Sequence, residues 1–351
     1  MSAAIPHRRG ALVLAVILSL LAAGLAAAAG PNVYTVKTLV TDASDASLVN
    51  AWGISAGPTT PWWVSNNGTN TTTLYSGTGT KIPLTVNVPG GPTGQVFNGN
   101  ANAFKVTQGA NSAAARFIFA TEAGTILGWA STVSPATAIP GVDRSAQGAV
   151  YKGLAILNDR LYAADFHNGR VDVFDSSFGP VALAGGFADP KVPKGWAPFG
   201  IQAVNGNIFV AYAKQDSDKK DEVAGAGLGY VDEFNADGKL VARVAKKGNK
   251  HGPLNAPWGL AMAPTGFGAF EGDLLVGNFG DGRISAYQER SAGKWVYKGQ
   301  LRTGDGKPLV VDGLWGIAFG NGAAAGPTTS LYFAAGPGDE KHGAYGVITA
   351  G

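Results

Sequence analysis

Cysteine is absent from the 351 residues, which removes disulfides, thiolate metal sites and a cysteine nucleophile together. Charge is sparse as well. Charged residues make up 15% of the chain and the formal net charge is +3, so the basic stripe that a nucleic-acid binder needs is missing. No charged or Pro-Ser-rich linker divides the sequence, although its length alone would suggest two domains. Long apolar runs are also missing, with one exception at the start. There Arg8 and Arg9 precede the apolar stretch Ala11 to Leu21 and the small residues Ala26 to Ala29, the order of an export signal. The stretch is shorter than the roughly 20 residues a membrane span needs. The sequence therefore predicts a leader over 1–29 and, over 30–351, a soluble monomer with no membrane span and no nucleic-acid partner, placed in the periplasm or outside the cell.

What is abundant is glycine, with 52 residues, alongside 19 prolines. Such a composition suits many tight turns between short strands. The phrase NAWGIS at 50–55 returns in looser form as APFGIQ at 197–202, APWGLA at 256–261 and GLWGIA at 313–318. A chain that repeats itself is a stack of one supersecondary unit. The clearest series follows each phrase: PWWVSN, RFIFATE, RLYAAD, NIFVAYAK, DLLVGN and SLYFAAG. All are rich in β-branched or aromatic residues and bounded by turn formers, as strands are. A third strand follows each, across turns such as DFHNG at 165–169 and NFGDG at 278–282.

Six units spaced by about 50 to 60 residues predict an all-β fold, a six-bladed propeller with four antiparallel strands per blade. The sixth unit stops after its third strand, while Asn32 to Thr41 is a lone strand before the first. The early strand is expected to complete blade six, which removes two exposed sheet edges. Trp52, Phe104, Phe199, Trp258 and Trp315 read as wedges between blades. Gly53, Gly153, Gly200, Gly259 and Gly316 share one register, where a side chain would crowd the narrowing ring.

RLYAADFHNGRVDVFD at 160–175 resembles the NHL repeat of six-bladed propellers. Longer phrases, among them YKGLAI at 151–156, LNAPWGLAMAP at 254–264 and AAGPGDEKHGAYGVI at 334–348, resemble a family of exported bacterial propellers of unknown function. Many members of that family carry a C-terminal sorting tail. No such tail is seen here, which implies a free exported form. The resemblance implies the fold and supplies no activity.

In this fold the starts of the innermost strands and the turns between second and third strands share one face, where ligands meet. The residues expected to converge there are Asn50, Asn255 and Asp312 from strand starts, and Asn66, Glu122, Asp165 and Asn278 from strand ends. Carboxylate and amide oxygens in a ring suit Ca²⁺; they suit turn amides equally well. The segment KQDSDKKDE at 214–222 brings Lys214, Asp216, Asp218, Asp221 and Glu222 to the same face. It lacks the spacing of a calcium loop and reads as a charged loop over the channel mouth. His342, beside Asp339 and Glu340, and His167 are the catalytic candidates, with His251 the remaining histidine outside the leader. Two functional expectations follow. One is a binding or scaffold module that holds a protein, glycan or small molecule at the channel face. The other is a Ca²⁺-dependent hydrolase of lactones or esters, with Glu122, Asp165, Asn66 and Asn278 around the metal, a set similar to that of exported six-bladed lactonases.

Overall fold

A computed structural model describes residues 1–4, 30–245 and 252–351. Arg8 to Ala29, the body of the expected leader, and His251 lie outside the described residues. Within them the chain forms six antiparallel blades around one axis. Blade 1 comprises Ala51–Ser55, Trp62–Asn66, Thr71–Tyr75 and Lys81–Asn87. Blade 2 comprises Pro92–Phe97, Phe117–Thr121, Thr125–Trp129 and Ile139–Asp143. Blade 4 runs from Trp196–Val204 through Asn207–Lys214 and Tyr230–Phe234 to Leu240–Ala245. Blade 5 runs from Pro257–Met262 through Leu274–Asn278 and Ile284–Ser291 to Lys294–Gln300.

Blade 3 has three strands instead of four, Tyr151–Leu157, Arg160–Asp165 and Arg170–Phe174. Where a fourth would begin there is a single bridge between Phe174 and Pro180, and proline has no N–H with which to extend a ladder. Blade 6 takes Leu314–Phe319, Leu331–Ala335 and Ala344–Ala350 from the end of the chain. Its outer strand is Tyr34–Thr41 from the start, paired from Tyr34 opposite Ala350 to Thr41 opposite Ala344. The expected closure by the N-terminal strand is what the structure contains. The second strands of blades 1, 2, 5 and 6 are buried along their whole length. Each blade is sandwiched between two neighbours, so these strands read as continuous apolar runs without alternation.

The innermost strands touch in a closed ring, and their glycines explain how. A Cβ added at Gly53, Gly94, Gly153, Gly200, Gly259 or Gly316 would come under 3.0 Å from the backbone of the next blade's inner strand. The last of the six meets the Trp52 carbonyl, so blade 6 closes onto blade 1. Five of the six are the glycines that the repeat identifies. The sixth is Gly94, and its identity corrects the reading of Phe104. Phe104 lies outside the inner strand of blade 2, in the connection that follows it, packed edge-on against Phe178 at 5.4 Å.

Candidate functional site

The residue preceding each ring glycine is Trp52, Thr93, Lys152, Phe199, Trp258 or Trp315. Side chains at this position point to the axis. Trp52 stacks on Trp315 at 3.6 Å, and Trp258 meets both edge-on at 6.1 and 5.8 Å. Phe199 lies 5.7 Å from Trp315, and Phe279 stacks on Trp315 at 4.0 Å. These aromatics belong to blades 1, 4, 5 and 6 and form one cluster. The repeat tryptophans do pack across neighbouring blades, as the sequence suggested, and they do so at the axis, where together they plug the channel. Offset and edge-on contacts of this kind add to the area they bury.

Lys152 takes the same axial position in blade 3. Its side chain is only 1% exposed, and Nζ pairs with Glu122 at 2.5 Å and with Asp221 at 3.0 Å. It also lies 5.0 Å over the ring of Trp52, a cation–π geometry. Asn50 ties the plug to this charge. Its Oδ1 accepts from Trp52 Nε1 at 2.9 Å and from Trp315 Nε1 at 3.1 Å. Its Nδ2 donates to Glu340 at 3.0 Å and to Asn67 at 3.4 Å, and Asn67 in turn donates to Glu122 at 2.8 Å. Asn50 holds φ at 47°, a left-handed conformation that asparagine tolerates better than most residues. One polar network therefore runs from the indoles through Asn50 and Asn67 to Glu122, Lys152 and Asp221.

The electrostatics follow from burial. Desolvation works against the Lys152 charge, and attraction to Glu122 and Asp221 outweighs it, so its pKa is raised. Burial pushes Glu222 up to about 8, with Lys152 opposing and Glu340 and Asp221 adding. Glu340 is raised too, again by burial, against the hydrogen bond from Asn50. Four carboxyl groups around one ammonium leave an excess of negative charge in a poorly hydrated place, and a proton relieves it.

The charged loop of 214–222 does cover the mouth. It contributes Asp221 to the network and brings Glu222 within electrostatic reach of Lys152, two of the acidic residues that the sequence placed on this face. Asp216 instead caps its own loop, accepting from the Lys220 N–H at 3.0 Å, while Lys214 is exposed at a strand end. Asn255 and Asp312 tie neighbouring turns: Asn255 accepts from Gly225 N–H at 2.6 Å and Asp312 from Gly338 N–H at 3.0 Å. Asp339 sits in the same turn with φ 54°.

Three of the four expected calcium ligands serve their own blades. Asn66 donates to Thr71 and Thr73, each at 3.0 Å. Asp165 accepts from Val150 N–H at 3.3 Å and from both nitrogens of Asn168, at 3.2 and 2.7 Å. Asn278 accepts from Asn255 N–H at 3.1 Å and donates to the Pro253 carbonyl at 2.8 Å. Only Glu122 reaches the mouth, and there the ammonium of Lys152 stands where a metal would. Among the described residues no three His, Asp or Glu side chains are grouped to hold a metal ion. The donor set does not fit Ca²⁺.

The histidines are also placed differently from the expectation. His342 pairs through Nδ1 with Asp42 Oδ2 at 2.9 Å and is 61% exposed. That hydrogen bond lowers the Asp42 pKa and leaves Asp339 and Glu340 without an orienting role for the imidazole. His167 has a buried Nδ1 with no partner among the described residues. Nothing in sequence singled out Lys152, yet a signal was there. YKGLAI aligns with PWGLAM on the ring glycine, which puts a lysine where other blades carry an aromatic.

No helix among the described residues is long and apolar enough to cross a membrane. No protein-family model matches the chain. Similar folds include a streptogramin B lyase, at 11% identity with a TM-score of 0.56, covering 90% of this chain and 97% of that one. They also include a glucose dehydrogenase, at 13% identity and 0.54, covering 90% and 100%. At such identities the likeness concerns the propeller alone. The chain's sequence relatives include viral proteins. Uncharacterized protein R648 of Acanthamoeba polyphaga mimivirus is 33% identical over 288 residues, covering 78% of this chain and 69% of that protein. Uncharacterized protein L690 of the same virus is 33% identical over 287 residues, covering 78% and 74%. The chain therefore belongs to the propeller family that includes these two mimivirus proteins.

Proposed function

We propose that this propeller is an exported binding protein whose ligand, bearing hydroxyl or amine groups, seats on the channel mouth. The observation that carries the reading is Lys152. A buried charge is costly to hold, and four of the six axial positions close the ring with aromatic side chains instead. Packing does not require an ammonium there. What the lysine does is gather Glu122 and Asp221, with Glu222 and Glu340 close by, into a cluster reached from solvent at the edge of the 214–222 loop. Carboxylates fixed in this way accept hydrogen bonds from hydroxyls and pair with amines. The leader-like stretch before residue 30 supports export.

The test is a panel of glycans and polyamines measured by calorimetry against the wild type, Glu340→Gln and Lys152→Met. A ligand whose affinity drops about tenfold or more in Glu340→Gln, with melting unchanged, supports the mouth as the site. Ligands that bind both variants as they bind the wild type would move the function elsewhere. Export is tested by fractionating cells that express the full chain, and retention in the cytoplasm would remove that part.

A further inference from the structure

A cavity lies on the opposite face, where blades 1 and 2 meet. It is an open hollow of about 560 Å³ lined by Pro61, Trp63, Leu84, Phe97, Arg116 and Trp129, among others, a volume suited to a small organic molecule. Its walls are aromatic and preorganised. Trp63 stacks on Phe117 at 4.1 Å and tilts against Trp129 at 4.8 Å. Trp129 is held by its indole N–H, which donates to the Pro135 carbonyl at 3.1 Å.

The matching corner between blades 6 and 1 is filled from within. There Asn321 donates to the Gly57 carbonyl at 2.7 Å and to the Thr60 carbonyl at 2.9 Å, and Trp62 donates to the Ala325 carbonyl at 2.7 Å. Between blades 1 and 2 the Gln95 amide donates to the Gly53 and Trp63 carbonyls on the inner strands, but among the described residues no side chain of blade 2 straps the 57–61 turn, and the aromatic walls stay open.

One charge stands at this cavity. The Arg116 guanidinium lies 5.1 Å over the ring of Phe97, and among the described residues it forms no ion pair. Every other wall is apolar or hydroxylic. An arginine stacked on an aromatic keeps its fork of N–H donors free and suits bidentate recognition of a carboxylate. We propose that this cavity binds an aromatic carboxylate, its ring between Trp129 and Phe97 and its carboxylate on Arg116. The site is separate from the channel mouth and does not depend on it.

Calorimetry of the full chain with 2-naphthoate and with its neutral methyl ester tests this. The acid is expected to bind once per chain, and the ester at least about tenfold more weakly, the worth of one charge-assisted pair. Arg116→Gln should bring the acid down to the ester's level without changing the melting temperature, and Trp129→Ala should weaken both. Lys152→Met, which removes the cation of the other face, should leave the acid's binding as it is. The proposal falls if the acid shows no saturable binding, if acid and ester bind the wild type equally, or if Lys152→Met abolishes binding while Arg116→Gln does not.

Discussion

Around the axis, blades 1, 4, 5 and 6 place Trp52, Trp315, Trp258 and Phe199 beside their ring glycines, whereas blades 2 and 3 place Thr93 and Lys152 there. The glycine is common to all six because the neighbouring backbone leaves no room for a Cβ. The residue before it is free to vary, since it points into a space shared by six strands. Thr93 uses that freedom to tie blades together, donating to the Tyr151 carbonyl at 2.7 Å. Lys152 uses it to assemble charge. Geometry thus constrains one position of the repeat and leaves the adjacent one to function.

The largest effect is expected at the constrained position. In Gly200→Val the new side chain runs into the Trp258 carbonyl, a backbone group that cannot swing aside, and overpacking of this kind costs about 3 kcal/mol or more. Thermal unfolding checks this, and a variant melting within a degree or two of the wild type would show that the ring is looser than described.

At the variable position the order of costs is diagnostic. Glu122→Gln takes from the buried lysine one of its two direct carboxylate partners and leaves Asp221, so it should destabilise by about 2 kcal/mol. Removing the lysine leaves Glu122 and Asp221, which are 33% and 70% exposed and can be rehydrated, while burial already favours the protonated form of Glu222 and Glu340. Lys152→Phe, which restores the aromatic of the other blades, should therefore cost about 1 kcal/mol or less. Denaturant titration of both variants would contradict this account if the lysine substitution proved the more damaging.

A smaller effect is expected from pH. Glu222 is held near 8 in the folded chain against an ordinary value of 4.5, so the folded state binds the proton more tightly. Stability should fall as pH rises from about 4.5 to about 8. Burial holds Asp232 at about 8 as well, and it acts in the same direction. Glu222→Gln should make the decline in melting temperature shallower without abolishing it, and an unchanged slope would remove Glu222 from the mouth's titration. The smallest effect concerns calcium. Because Lys152 stands where a metal would, millimolar Ca²⁺ or a chelator should leave melting unchanged. A stabilisation lost in Asp165→Ala would restore the metal reading, since a ligand that binds only the folded state raises its melting temperature.

Much of the architecture was legible in the sequence because blade strands are short, apolar and bounded by turns. RLYAAD at 160–165 and NIFVAYAK at 207–214 match observed strands residue for residue, and the lone strand before the first unit was placed correctly on blade 6. Blade 2 was misread at its first strand. Thr93 stands where blades 1, 4, 5 and 6 carry an aromatic, and Phe104, ten residues past Gly94, supplied a decoy. The site was less legible for a related reason. Asn66, Asp165 and Asn278 recur at strand ends because turns need them, and recurrence drew attention to them. Asp221 and Glu222 were placed on this face as part of the charged loop, but Lys152, which occurs once, was not, and their meeting depends on that loop reaching the axis.

The pairing of Tyr34–Thr41 with Ala344–Ala350 also sets the order of events during synthesis. The two strands leave the ribosome roughly 15 to 60 s apart at ordinary translation rates, so blade 6 is the last to be completed. Until then the first strand has no partner and the growing fan of blades presents an open edge at each end. The nascent chain is most exposed to mispairing just before Ala344–Ala350 emerges, and chaperones that shield β edges would be needed most in that interval.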